Sequence, residues 1–228
     1  MPLLLCIDTS TTDASVALAK EGELLCIKIN HNQKEHASFL QPAIQEMMVE
    51  MKLLLSDLQA IAVTSGPGSY TGLRVGFASA KGLCYALQIP LITISTTLVM
   101  SAAAIKHIPE ESVSGLPIVL CPMIDARRLE VFTALHSPDL TALAGNSAVI
   151  LNPDSFADIL QSNSVYFFGN GADKWKNICR HQNAFFAEVV WNANDMLKLA
   201  YNQFQQHAFT PLAHAIPDYG KDFSSSVK

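Results

Sequence analysis

The residues best suited to chemistry lie in one glycine-rich stretch, Gly66-Pro67-Gly68-Ser69-Tyr70-Thr71-Gly72. A strand, a glycine loop and a helix in that order would aim backbone N–H groups and a helix N-terminus at an anion. The terminal Gly-Lys-Ser/Thr of a Walker A loop is missing, and the spacing differs from the Rossmann Gly-x-Gly-x-x-Gly. The stretch therefore fits a phosphate cradle and a tight strand-to-helix turn equally well.

A second polar segment, Asp8-Thr9-Ser10-Thr11-Thr12, follows the first apolar run of the chain. At the end of a strand, the carboxylate of Asp8 could hold a magnesium ion and the hydroxyls could contact a phosphate. The alternative is a turn whose side chains bond to their own backbone. Taken in isolation, the segment favours the turn.

The histidines do not form a metal-binding pattern. His31 and His36 are five residues apart, so they would point about 140° apart on a helix and to opposite faces of a strand. A zinc pair on a helix normally has a spacing of four, and the other histidines form no ligand cluster. No nucleophile-elbow motif marks a Ser/His/Asp set. The sequence therefore predicts neither a metal site nor a hydrolase triad.

The elements that would position these residues occur in two sets. Apolar runs between glycine-containing and polar turns predict strands, and a strand cluster followed by helices occurs twice, which predicts an α/β fold of two subdomains. We expect these subdomains at residues 1–106 and 107–228, with a flexible tail after Phe209. The predicted strands are Leu3–Ile7, Ala14–Ala19, Leu24–Ile29, Ala60–Thr64, Leu91–Ile94, Ile118–Ile124, Leu129–Leu135 and Val165–Phe168. The predicted helices after the first are residues 70–87, 97–105, 153–160 and 194–207.

The first two long helices carry distinctive faces. Ser38 with Gln41 resembles a capping box at the start of the first helix. On the second helix, small residues recur every four positions, so another backbone can approach closely there. A methionine-rich stripe is usually core, but methionines also suit partner surfaces, so core and interface stay equally open. The apolar stripe of the first helix consists of Leu40, Ile44, Met47, Met48 and Met51, and the small stripe of the second consists of Gly72, Gly76 and Ala80.

Composition excludes several classes of protein. The chain has 228 residues, 50% of them hydrophobic and only 15% charged, which excludes intrinsic disorder. Its net charge of −5 argues against the chain binding a nucleic acid on its own. The start of the chain lacks the pattern of a signal peptide, and no apolar run is long enough to span a membrane. The five scattered cysteines fit reduced core residues in the cytosol.

Taken together, these residues resemble the TsaB (YeaZ) family. The resemblance rests on Asp8-Thr9-Ser10 and on the highly specific stretch Thr64-Ser65-Gly66-Pro67-Gly68-Ser69-Tyr70-Thr71-Gly72-Leu73-Arg74-Val75-Gly76. Asp125-Ala126-Arg127 and Gly169-Asn170-Gly171-Ala172 add weaker support. The match is good over residues 1–130 and loose beyond. Pro217-Asp218-Tyr219-Gly220-Lys221 is similar to the terminal Pro-x-Tyr segment of the family and departs from it after the tyrosine.

The resemblance implies an actin-like, Hsp70-like fold of two α/β subdomains with mixed sheets. It implies a cytoplasmic role in placing threonylcarbamoyl on the adenosine beside the anticodon of tRNAs that read codons starting with A. In that family the paralogue TsaD catalyses the transfer, using the adenylate made by TsaC, so this chain would be a non-catalytic scaffold. The implied partners are TsaD, the ATPase TsaE and, indirectly, TsaC and tRNA. A homodimer would use the same helices.

The resemblance also implies site residues. Ser10 carries a side chain where an actin-like ATPase has a glycine that lets the backbone approach a phosphate, so the cleft would be degenerate. No intrinsic cofactor or metal is implied, and ATP or ADP would bind only at the interface of the complex. The implied interface residues are Leu40, Ile44, Met47, Met48, Met51, Gly72, Arg74, Gly76, Phe77 and Ala80. The residues that would face a vestigial nucleotide or phosphate are Asp8, Thr9, Ser10, Gly66, Gly68, Ser69, Asp125 and Gly171.

Two enzymatic hypotheses compete with the scaffold. The first is an ATP-dependent transferase or phosphotransferase that works in its own cleft with Asp8, Gly66, Gly68 and Asp125. It predicts that the isolated chain binds and turns over ATP. The second is a metallopeptidase of the related glycoprotease group, which requires a bound metal.

Overall fold

A computed structural model describes residues 1–111 and 114–220 of the chain. The chain forms two compact units. Unit 1 contains Met1–Val99 and Trp191–Pro217, and unit 2 contains Met100–Val190 and the described residues from Asp218 onward. No helix in the described part of the chain is long and apolar enough to cross a membrane.

Unit 1 is built on a five-stranded mixed sheet. Its strands are β1 (Leu3–Asp8), β2 (Ala14–Lys20), β3 (Glu23–Asn30), β4 (Ala60–Gly66) and β5 (Leu91–Ser95). They lie in the order β3-β2-β1-β4-β5. Strand β1 pairs antiparallel with β2 and parallel with β4, β2 pairs antiparallel with β3, and β4 pairs parallel with β5. The parallel strands β1, β4 and β5 therefore all end at the same edge of the sheet.

Both faces of this sheet are covered, which explains why β1 is an unbroken apolar run. Leu5 and Ile7 point into a core that includes helices α1 (His36–Glu50) and α2 (Tyr70–Leu87). Leu4 and Cys6 point into a second core, on the opposite face of the strand. The second core includes α6 (Leu197–Gln205) and the 3-10 turn Ala193–Met196 before it. The predicted strands of unit 1 are confirmed to within a residue or two.

The start of α1 differs from the predicted capping box. The helix begins at His36, so Ser38 lies inside it and donates from Oγ to the Glu35 carbonyl oxygen at 3.0 Å. A 3-10 turn, Gln33–Glu35, precedes the helix, and the Asn32 side chain accepts from its Lys34 N–H at 3.2 Å. The capping box was wrong because the polar residues upstream of Ser38 already form this turn.

Unit 2 is built on a second five-stranded sheet. Its strands are β6 (Ile118–Asp125), β7 (Glu130–His136), β8 (Ala142–Ile150), β9 (Ser164–Phe168) and β10 (Ala184–Phe186). They lie in the order β10-β9-β6-β7-β8, with β6 antiparallel to β7 and parallel to β9. Trp175 and Phe167 are fully buried at the centre of this unit's core. The helices are α3 (Thr96–Ala104), within which the unit boundary falls, α4 (Ala157–Ser162) and α5 (Ala172–Ile178).

Unit 2 contains elements that the sequence did not predict. Strand β8 has no apolar alternation because it is an edge strand exposed over nearly its whole length. Helix α5, which the sequence did not predict, has seven residues and begins immediately after Gly171. The predicted helix at residues 153–160 is shifted and shorter, because the chain turns at residues 153–156 before α4 begins.

The division of the chain differs from the expected boundary at residue 107. Residues 191–217 return to unit 1, because Leu197 and Ala200 of α6 bury their side chains on the first sheet. Part of the predicted flexible tail is also hydrogen-bonded to other residues of unit 1. Thr210 N–H donates to the Leu91 carbonyl oxygen at 2.8 Å, and Lys81 Nζ donates to the Ala215 carbonyl oxygen at 2.9 Å. The rest of that predicted tail, residues 221–228, lies outside the described residues.

Candidate functional site

Asp8 lies at the end of β1, at the edge where the parallel strands of unit 1 finish. Its Oδ1 accepts from Ser10 N–H at 3.0 Å, from Ser10 Oγ at 2.7 Å and from Thr64 Oγ1 at 2.9 Å. Asp8 is only 3% exposed, and this burial raises the pKa of its carboxyl even though the three hydrogen bonds and nearby His36 oppose the rise. All three donors to Asp8 therefore belong to Ser10 and Thr64 of the same unit.

The glycine loop packs against the β1–β2 hairpin. Ser69 N–H donates to the Ser10 carbonyl oxygen at 2.6 Å, and Thr9 Oγ1 donates to the Gly72 carbonyl oxygen at 2.8 Å. A Cβ at Gly68 would collide with the carbonyl oxygen of Ser10, and a Cβ at Gly72 would collide with that of Thr9. The glycines are thus needed so that one backbone of unit 1 can approach another.

This contact bears on the two interpretations of the loop. In a phosphate cradle, the loop N–H groups would point at a ligand. Here Ser69 N–H is bonded to the hairpin, and Gly72 N–H donates to Ser69 Oγ at 3.3 Å, which makes Ser69 the N-cap of α2. Pro67, which has no N–H, follows Gly66 in the loop. The geometry favours the tight strand-to-helix turn.

The two histidines singled out in the sequence both contact the β1–β2 turn. His31 Nδ1 lies 2.8 Å from Asp13 Oδ2 on the surface, and His36 Nε2 lies 3.0 Å from the Thr12 carbonyl oxygen. His36 is buried, because the start of α1 packs beside this turn. No group of three or more His, Cys, Asp or Glu side chains in residues 1–111 and 114–220 could hold a metal ion.

Most of the predicted interface residues lie in the core of unit 1. The apolar stripe of α1 faces the sheet, and on α2 the Cβ of a larger residue at Gly76 would meet Thr9 Oγ1. The prediction that these side chains form a surface was wrong, because an amphipathic helix turns its apolar stripe toward its own sheet. Of the ten residues, only Arg74 is exposed and Met51 is half-buried. The buried ones are Leu40, Ile44, Met47, Met48, Gly72, Gly76, Phe77 and Ala80.

A different face of the same two helices is exposed. On α2, Tyr85 is 73% exposed, and Arg74 stacks its guanidinium 5.4 Å from the centre of the Tyr70 ring. On α1, Val49 is 70% exposed, and Gln41 Nε2 donates to Ser79 Oγ of α2 at 3.1 Å. We call this surface the α1–α2 outer face. Its exposed members are Gln41, Gln45 and Val49 on α1 and Tyr70, Arg74, Ala78, Gly82 and Tyr85 on α2.

The sequence held a signal for the α1–α2 outer face that our interpretation missed. Tyr70, Arg74, Ala78 and Gly82 follow a spacing of four, just as the buried small residues do. Gly82 is exposed, and a Cβ placed on it would have no atom within 4 Å. The second stripe of α2 therefore leaves room for a neighbour along the outside of the helix.

In unit 2, Asp125 ends β6 beside a sharp turn. Its Oδ1 accepts from Lys174 Nζ at 2.5 Å and from Arg127 N–H at 2.6 Å. Desolvation opposes ionisation, but these two bonds outweigh it and hold the pKa of Asp125 below its usual value. Gly171 packs on this strand end, since a Cβ there would come within 3.0 Å of the Ile124 carbonyl carbon. The Asp125 carboxylate is already paired with the Lys174 ammonium of its own unit and bonded to the Arg127 backbone.

Unit 2 also contains a buried polar pair that the sequence did not indicate. Ser101 Oγ of α3 lies 2.9 Å from His136 Nδ1 of β7, and both residues are buried. Burial lowers the pKa of His136, so the imidazole favours its neutral form. The pair connects a helix to a strand inside the core, and no signal in the sequence would have joined residues so far apart.

Comparison with known proteins identifies relatives over most of the chain. Residues 30–226 match the family model described as TsaD: tRNA N6-adenosine threonylcarbamoyltransferase. The tRNA threonylcarbamoyladenosine biosynthesis protein TsaB of Haemophilus influenzae is 30% identical, over 92% of this chain and 89% of that protein. The protein of the same name from Escherichia coli is 28% identical, over 95% of this chain and 93% of that protein.

Solved structures agree with these sequence matches. YeaZ from Pseudomonas aeruginosa superimposes with a TM-score of 0.78 and 26% identity, over 96% of this chain and 100% of that chain. A second structure, of a protein with similarity to peptidase YeaZ from the same organism, gives a TM-score of 0.80 and 27% identity, over 97% and 100% of the two chains. With the two five-stranded mixed sheets, these matches confirm the predicted actin-like fold of two α/β subdomains.

Proposed function

This chain belongs to the TsaB (YeaZ) family, and from that premise we propose that it is a non-catalytic subunit in tRNA threonylcarbamoyladenosine biosynthesis. Its role would be to scaffold and activate the catalytic paralogue TsaD on tRNAs that read codons starting with A. The observation that carries the non-catalytic part is the bond from Ser69 N–H to the Ser10 carbonyl oxygen, because it closes the glycine loop on its own hairpin.

The other reactive groups of the chain support the same proposal. A carboxylate that acts as a base or holds a metal needs a free oxygen lone pair toward the substrate. Asp8 is only 3% exposed and three donors of its own unit bind its Oδ1, and the Asp125 carboxylate is paired with Lys174. Burial raises the pKa of the Cys6 and Cys121 thiols to about 12, so neither is a ready nucleophile. All five cysteines are free thiols, which would suit a cytoplasmic protein.

We assign the pairing with TsaD to the α1–α2 outer face. The stacked Arg74 and Tyr70 and the exposed Tyr85 are residue types enriched at interfaces. Between them, Ala78 and Gly82 let another helix approach closely. The catalytic partner TsaD would occupy this face, TsaE would dock on the resulting pair, and TsaC would act upstream. A second copy of this chain would compete with TsaD for the same face, and any ATP or ADP would bind at the interface of the complex.

The decisive experiment places bulk on this face without disturbing the core. Gly82→Leu should fold normally, because the position is exposed and open, and should abolish TsaD binding measured by calorimetry. Gly82→Ala is the matched control and should retain most of the binding. Gly76→Leu is unsuitable as a test, because its side chain would collide with Thr9 inside the unit. Unchanged TsaD affinity in a folded Gly82→Leu variant would refute the assigned face.

The proposed lack of catalysis has its own test. The purified chain should show no ATP turnover when titrated with Mg-ATP. A mixture of TsaC, TsaD and TsaE should modify tRNA only when this chain is added. Brisk hydrolysis by the isolated chain would favour the transferase hypothesis, and metal retained through purification would favour the metallopeptidase.

A further inference from the structure

The turn between β6 and β7 holds two consecutive arginines in an unfavourable backbone conformation. Arg127 and Arg128 have φ angles of 72° and 46°, in the left-handed region that side chains with a Cβ rarely adopt. Glycine and asparagine are the residues that normally occupy such positions. Only four arginines occur in the whole chain, and two of them stand here. We call these two residues the arginine turn.

Hydrogen bonds from neighbouring residues hold the backbone of the arginine turn in place. Ala126 N–H donates to the Glu130 carbonyl oxygen at 3.1 Å, and Glu130 N–H donates to that of Arg127 at 3.0 Å. The Asp125 carboxylate accepts from Arg127 N–H, and Lys174 Nζ bridges this carboxylate and the Glu130 carbonyl oxygen at 2.5 and 3.1 Å. The backbone of the turn is therefore fixed before anything binds to it.

Among the described residues, no group bonds to the two guanidinium groups, whereas the backbone of the turn is hydrogen-bonded. Both arginines are exposed, and in the part of the chain that the structure describes neither forms an ion pair or a side-chain hydrogen bond. Asp125, two residues before Arg127, is already engaged by Lys174. The turn is strained and presents two adjacent free cations on a chain with a net charge of −5. Neither feature stabilises the fold, so their presence indicates a function.

We propose that the arginine turn binds the phosphate backbone of RNA. Arginine presents a planar fork of donors that matches phosphate geometry, and phosphate contacts fix the register of a nucleic acid without reading its sequence. The inference rests on the proposed function, since the substrate of that modification is a tRNA. The net negative charge implies that the turn supplies an accessory contact within the complex and does not retain tRNA alone.

The test removes the charges while relieving the strain. Arg127→Asn/Arg128→Gly places turn-favoured residues at both positions, so the variant should keep or raise the melting temperature. In the assembled complex with TsaD, its affinity for an ANN-decoding tRNA transcript should fall about tenfold at moderate salt. The slope of log affinity against log salt should also become shallower by about 1.4, as expected for two lost phosphate contacts.

Two control variants isolate the arginine turn. Arg127→Lys/Arg128→Lys keeps both charges at the same positions and should retain most of the salt slope. Lys176→Gln/Lys198→Gln removes two exposed charges elsewhere and should leave tRNA affinity within twofold. An unchanged salt slope in Arg127→Asn/Arg128→Gly overturns the inference. So does a loss of TsaE binding with normal tRNA binding, which would assign the turn to an acidic protein surface.

The same samples separate this inference from the proposed function. If the wild-type chain pairs with TsaD and supports modification at saturating tRNA, the proposed function stands whatever the arginine turn does. If the variant pairs and supports modification equally well at limiting tRNA, only the arginine turn is refuted. If the wild-type chain fails to pair, the proposed function fails and the tRNA contact loses its basis with it.

Discussion

The N–H of Ser69 and the carbonyl oxygen of Ser10 lie 2.6 Å apart, and this bond joins the start of α2 to the β1–β2 hairpin. Residues 59 apart in sequence are thereby held backbone to backbone, and Gly68 and Gly72 permit it because a Cβ at either position would collide with the hairpin backbone. The contact makes the glycine loop part of the architecture of unit 1. Several consequences can be measured on the isolated chain.

A methyl group at Gly72 should be far more damaging than one at Gly82 on the same helix. The Cβ of Gly72→Ala would collide with the Thr9 carbonyl oxygen, a backbone atom that cannot move freely, so we expect a loss of about 3 kcal/mol or more in the free energy of unfolding. Gly82→Ala meets no atom within 4 Å and should gain up to about 1 kcal/mol from helix propensity. Urea denaturation of both variants measures the difference. Equal stabilities would contradict the packing of α2 on the hairpin.

Asp8 should matter for its oxygen and not for its charge. Asp8→Ala leaves three buried donors without an acceptor and should cost about 3 kcal/mol of stability at pH 7. Asp8→Asn retains an oxygen at the Oδ1 position and buries no charge, so it should stay within about 1 kcal/mol of the wild type. Thermal unfolding at pH 7 compares the two. A variant Asp8→Asn as unstable as Asp8→Ala would mean that the fold requires the carboxylate charge and would contradict this prediction.

Individual residues show how much of the fold could be predicted from the sequence. Strand β1 was predicted because both of its faces are buried, so it reads as continuous apolar residues. The α1 stripe predicted a helix correctly, but it could not tell a core from an interface, since Met47 would look the same in either place. The return of α6 to the first sheet depends on contacts between distant segments, and a local pattern carries no trace of them. The same limit hid the Ser10–Ser69 bond.

Low pH should destabilise the chain through His136. Burial lowers the pKa of this histidine in the folded state, so below about pH 6.5 the unfolded chain takes up a proton that the folded chain resists. Stability should therefore fall as the pH decreases from about 6.5 toward the folded pKa, by up to about 1.4 kcal/mol per pH unit from this group. Above pH 6.5 the group should contribute no slope.

The variant His136→Asn isolates that contribution. Asparagine is uncharged and places a polar atom near the position of Nδ1, where it can still meet Ser101 Oγ. The stability difference between wild type and variant, measured by urea denaturation at several pH values, should be constant above pH 6.5 and should shift in favour of the variant below it. A difference that does not change with pH would show that His136 titrates normally.

The two faces of α1 should respond in opposite ways to truncation. Met47 is fully buried in the core, so Met47→Ala should cost about 2–5 kcal/mol of stability. Val49, two residues on, is 70% exposed, so Val49→Ala should change stability by less than about 0.5 kcal/mol. Under the proposed function, Val49→Ala weakens TsaD binding, whereas Met47→Ala affects binding only through the fraction of folded chain. Calorimetric titration with TsaD, after each variant is checked for folding by circular dichroism, distinguishes these effects. Full TsaD affinity in Val49→Ala combined with reduced affinity in folded Met47→Ala would return the interface to the apolar stripe that the sequence suggested.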